Sequence, residues 1–99
     1  MQLADWLDLH TSQAPAALKA RVEQYAVQGS GPSLPMALAS AGQAALQEAL
    51  FHPGDRTAAL DLLAADALIT LALLAQAETS PEGLEEFATQ VLQAARPHS

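Results

Sequence analysis

The sequence predicts an all-α protein: a compact antiparallel helical bundle of four main helices plus a short N-terminal helix. Three observations carry this. Alanine and leucine, which lead the helix-propensity scale, dominate a chain that is 51% hydrophobic but only 4% aromatic. β-Branched residues, which favour sheets, are scarce. Apolar residues recur at helical spacing in five segments, separated by short breaks bearing proline, glycine or serine. At 99 residues the chain is read as a single helical domain, residues 1–99, near the lower end of sizes that fold alone.

Each element has its own signals. Over residues 3–10, Leu3, Trp6, Leu7 and His10 follow the i, i+3, i+4, i+7 pattern, and Asp5 and Asp8 lie off that face. Residues 15–28 open on Pro15, which suits a first turn. Leu18, Val22 and Tyr25 make their stripe, and Gly29-Ser30-Gly31-Pro32 ends it. Residues 35–51 follow Ser33, a candidate N-cap. Met36, Ala39, Leu46 and Leu50 mark one face. Ala41, Gly42, Ala44, Ala45 and Ala49 keep the rest small, so that another helix can approach closely.

His52-Pro53-Gly54 stops that helix, and Asp55 is placed to cap the next, residues 55–78, about 36 Å long. Its large residues fall on two sides: Leu60, Leu63, Leu71 and Leu74 on one, Leu62, Ile69 and Leu73 on the other. A helix apolar nearly all round is covered on both faces. It is therefore expected at the centre of the bundle or between two subunits. Residues 81–96 begin with Ser80 as N-cap, Pro81 in the first turn and acids beside the helix dipole. Leu84, Phe87, Ala88, Val91, Leu92 and Ala95 give a regular stripe.

Composition excludes several functions. Eleven acids against four Lys and Arg give a formal net charge of −7. Nucleic acid and anionic membrane surfaces, which recruit cationic residues, are not expected partners. There is no cysteine, so thiol chemistry and disulfides are out. The first residues carry Asp5 and Asp8 and no basic run, unlike a signal peptide. The uncharged run 67–77 is shorter than the ~20 residues that span a bilayer. A cytoplasmic location is the expectation.

No motif of catalytic, metal or nucleotide chemistry is readable. Asp55, Asp61 and Asp66 are five and six residues apart, which scatters them round a helix rather than onto one face. Glu82, Glu85 and Glu86 read as acids complementing a helix N-terminus. His10, His52 and His98 share no metal-ligand spacing. Gly29-Ser30-Gly31 lacks the spacing of a nucleophile elbow and the lysine of a phosphate loop. Neither a cofactor nor a metal is expected.

Asp66 is the residue most out of keeping with its surroundings. Leu62, Leu63 and Ile69 are its helical neighbours, and Thr70 lies one turn on. It reads as an outward-pointing acid, as a polar lock fixing helix register at a dimer interface, or as a ligand anchor in an apolar setting. Trp6 reads either as the anchor of the short first helix or as an interface hot spot. The segment LLAADALITLALLAQAE, residues 62–78, resembles a helix of isoprenoid synthases. The paired aspartate-rich metal motifs of that family are missing, and the chain is far shorter than its fold. The resemblance therefore implies no site and no activity.

The resulting expectation is a small non-enzymatic protein–protein interaction module, a homodimer or a subunit of a larger assembly, with itself or another protein as partner. Trp6, Leu62, Ile69 and Leu73 are its expected interface. The alternative is a small bundle that binds an apolar ligand, with Asp66 and Thr70 as its polar groups.

Overall fold

The computed structural model describes residues 3–52 and 54–95, of Ala95 the backbone only. The chain is all-helical, with no strand among the described residues. The elements are α1 (Leu3–His10), α2 (Ala16–Ala26), α3 (Leu34–Phe51), α4 (Arg56–Thr79), a 3₁₀ turn (Pro81–Gly83) and α5 (Leu84–Ala95). Pro53, Arg96 and His98 lie outside the described residues.

The expected caps are present at two starts. Ser33 Oγ accepts from the Met36 N–H at 3.4 Å, and Asp55 Oδ1 accepts from the Thr57 N–H at 3.1 Å. Pro15 stands just outside α2 rather than in its first turn. Its carbonyl accepts from the Lys19 N–H at 2.9 Å. Ser80 does not cap with its side chain. Its hydroxyl donates to Glu82 Oε1 at 2.9 Å, and the chain enters α5 through the 3₁₀ turn. The hydrogen bonds of Glu82 to its own backbone N–H and to Ser80 hold its carboxyl below the usual range.

The organising unit is the antiparallel hairpin of α3 and α4. Buried residues recur along α3 as Pro35, Leu38, Gly42, Ala45 and Ala49, and along α4 as Ala58, Asp61, Ala65, Leu68, Ala72 and Ala75. Steps alternate between three and four, the seam pattern of a coiled coil. Nearly all these side chains are small, so the axes come close. A Cβ on Gly42 would lie 2.9 Å from Ile69 Cδ1 and 3.3 Å from Leu68 Cβ.

This corrects the expectation for α4. Its buried face is mostly alanine, with Asp61, Leu68 and Leu71, and neither leucine stripe as a whole. Leu62 and Leu63 are more than half exposed and Leu74 is 38% exposed; of the first stripe only Leu71 is buried. The sandwich is thus incomplete. α4 has the length and mean hydropathy (2.0 over 18 residues) of a membrane-spanning helix, yet 44% of that window is buried in the bundle.

α1 and α2 pack on one side of the hairpin. The Trp6 indole N–H donates to Glu78 Oε1 at 3.2 Å, and Arg21 and Tyr25 both reach Asp61. The end of α2 meets the start of α3 at Gly29, where a Cβ would collide with the Ala37 carbonyl oxygen. α5 packs on both α3 and α4, burying Phe87 and Val91. The whole is a slab, with extents of 39 × 36 × 19 Å.

Candidate functional site

At 100° per residue, Leu62 and Ile69 project from α4 on the side roughly opposite Glu78 and about a quarter turn from Asp61. They face away from α1 and α2. Leu46 and Gln43 project the same way from α3. Between them runs a groove of about 410 Å³, lined by Gly42, Gln43, Leu46, Leu62, Ala65, Asp66 and Ile69. Gln43 also borders the neighbouring cleft, which Val91 and Ala94 of α5 help to line. The groove therefore begins where the cover given by α5 ends. Gly42 forms its floor, because the missing side chain lets Ile69 lie down between the helices.

The groove is apolar except at Gln43 and Asp66. Asp66 is exposed, and among the described residues its side chain makes no hydrogen bond or ion pair. Leu62 is 54% exposed, a large apolar side chain in water at the groove rim. Leu50, one turn beyond Leu46, is 70% exposed. Contiguous apolar exposure of this kind marks an interaction site more often than scattered leucines do.

The structure divides the expected site residues. Leu62 and Ile69 line the groove together. Leu73 is half-buried and packs against the core. Trp6 is 8% exposed and tilts against the His10 ring, with centroids 4.3 Å apart. His10 Nε2 in turn lies 3.7 Å from Glu78 Oε2. Trp6 thus packs α1 against the rest of the bundle and leaves little of its surface exposed.

Asp66 and Thr70 both lie at the surface. They border a second cleft, of about 500 Å³, between α4 and the loop after α1. Thr70 Oγ1 donates to the Asp66 carbonyl at 2.9 Å, an intrahelical bond. An interior ligand pocket with these two as polar groups is not what the structure builds.

The buried, hydrogen-bonded acid of α4 is instead Asp61, one and a half turns before Asp66. Asp61 is 2% exposed. Its Oδ1 accepts from Arg21 Nε at 2.7 Å and from the Tyr25 hydroxyl at 2.9 Å. Burial, then the hydrogen bond to Asp61, push the Tyr25 hydroxyl up to about 12. The signal for this cluster was present in Arg21 and Tyr25, four apart on one face of α2, but not the means to pair them with a residue forty positions on.

Among the described residues no group of three or more His, Asp or Glu is placed to hold a metal. Lys19 is paired with Asp8, whose carboxylate raises the ammonium pKa. The chain matches no known family model, no curated protein and no solved structure.

Proposed function

We propose that this protein is a small non-enzymatic interaction module of an aqueous, cytoplasmic setting, and that it receives a helix from a partner chain in the groove between α3 and α4. The observation that carries the reading is the incomplete cover of the hairpin. α5 lies over one part of its apolar face, and Leu46, Leu50, Leu62 and Ile69 continue that face without a helix on top. A partner helix would take the place beside α5 that this chain leaves open, using apolar anchors at i, i+3, i+4 and i+7. Helix-in-groove burial asks nothing of the protein but a preformed apolar trough.

Amide chemical-shift mapping tests this. Titration with amphipathic helical peptides should move resonances of residues 42–50 and 62–69 and leave α2 unmoved, and dilution of the protein alone reads whether a second copy fills the groove instead. Leu62→Glu should abolish the response, and because Leu62 is exposed the variant will fold. If no peptide and no self-association perturbs the groove, the reading falls.

A further inference from the structure

Building on that docking reading, we infer that the received helix is cationic: an amphipathic segment of a different protein, with Lys or Arg flanking its apolar anchors, rather than a second copy of this chain. The argument is charge complementarity. The chain carries −7 overall, and the charged side chain on the groove itself is Asp66, exposed and without an ion-pair partner among the described residues. Both cations of α2 are engaged on the other side of the hairpin, Lys19 with Asp8 and Arg21 with Asp61. No cation among the described residues lines the groove.

A partner helix seated on Leu62 and Ile69 would pass directly over Asp66, which sits between them in sequence and at the groove edge. A basic residue one turn from its apolar anchor would meet that carboxylate in a partly dehydrated seam, where opposite charges attract more strongly than in open water. A second copy fits the same seam poorly. A two-fold pairing that sets Leu62 of one copy on Ile69 of the other brings both Asp66 carboxylates to the axis, because residues 62 and 69 centre on 65 and 66. Like charges then converge in the seam, between two bodies that already carry the same sign.

Two helical peptides test this, with the same leucine face and opposite flanks, one Lys- and Arg-rich and one Glu-rich. Binding is read by fluorescence anisotropy, with light scattering on the protein alone. The cationic peptide should bind at least tenfold tighter, and added salt should weaken it. Asp66→Lys should erase the preference. Leu62→Glu should abolish binding even though it makes the surface more acidic, which separates seating in the groove from loose attraction to a negative protein.

Equal binding of both peptides, each lost in Leu62→Glu, overturns the charge inference and leaves the docking module standing. A dimer of twice the protomer mass that Leu62→Glu dissociates does the same in favour of a second copy. Cationic binding unaffected by Leu62→Glu overturns the inference as non-specific. No peptide binding and no self-association overturns both readings.

Discussion

The two sides of the α3–α4 hairpin differ in what accompanies apolar burial. On the side of α1 and α2, where Leu7 and Val22 are buried, polar contacts add to the packing: Arg21 and Tyr25 converge on Asp61, and Trp6 reaches Glu78. On the side of α5 the contacts are apolar, and they stop short, leaving Leu46, Leu62 and Ile69 as the walls of a groove. Hydrogen bonds demand particular partners at particular distances, whereas aliphatic surface accepts any well-shaped neighbour. The first side therefore specifies how this chain folds on itself, and the second leaves apolar surface uncovered.

The largest expected effect lies in breaking the specified side. Arg21→Ala leaves the Asp61 carboxylate buried with only the Tyr25 hydroxyl as partner. Stranding a buried charge costs about 3–5 kcal/mol, and denaturant unfolding should show a loss towards the lower end, since Arg21 retains 22% side-chain exposure. The paired change Arg21→Met with Asp61→Leu removes both charges and should recover most of that loss. If the double variant is as unstable as the single, the cluster is more than a lock.

Core and groove leucines separate the two sides next. Leu68 is fully buried, and Leu68→Ala should cost about 2–5 kcal/mol through the cavity it leaves. Leu62 has the same chemistry one and two-thirds turns away, yet Leu62→Ala should stay within about 0.5 kcal/mol. Equal losses by thermal or urea unfolding would mean that Leu62 belongs to the protomer core and that there is no free groove.

These pairs also show what could be read before the structure. The five helices were legible because their punctuation is local: Ser33, Asp55 and Pro81 act within a turn of where they stand. The orientation of α4 was not. Leucines draw attention by size, and Leu60, Leu63 and Leu74 suggest an inward stripe, but the closest helix–helix seam is chosen by what can approach, and Ala58, Ala65 and Ala72 approach best. That choice turns the helix so that Asp61 is inside and Asp66 outside. The second leucine stripe was the better guide: Leu62 and Ile69 do share a face, whereas Trp6, on another element, is held away from it by Glu78. Pairings such as Arg21 with Asp61 depend on how α2 crosses α4, which no local pattern encodes.

Tyrosine titration sharpens the polar side with a smaller effect. Tyr25 is the single tyrosine of the chain, so tyrosinate absorbance reports it alone. Its folded pKa of about 12 lies above the ordinary 10.0. The folded state thus holds the phenolic proton more tightly than the unfolded chain. The stabilisation is complete below pH 10 and is lost as the pH rises through about 12. Asp61→Asn removes the hydrogen-bonded carboxylate and should lower the midpoint part of the way to 10, because burial, the larger cause, persists. A midpoint already near 10 in the parent protein would show that Tyr25 is solvated and the cluster open.

Another small effect on stability sits where the two sides meet, at Gly42. An added Cβ would fall 2.9 Å from Ile69 Cδ1 and 3.0 Å from Ile69 Cγ1, so the isoleucine must move, and it has open groove to move into. Gly42→Ala gains about 1 kcal/mol of helix propensity. Leu68 Cβ, 3.3 Å away and rooted in the core, gives less readily and takes some of that gain back. Unfolding should therefore shift by less than about 1 kcal/mol in either direction. The groove should respond far more, because raising Ile69 lifts its floor beneath any docked helix. Peptide affinity that falls severalfold at unchanged stability would place function on the open side. Affinity that merely follows stability would make Gly42 a packing residue of the hairpin and nothing else.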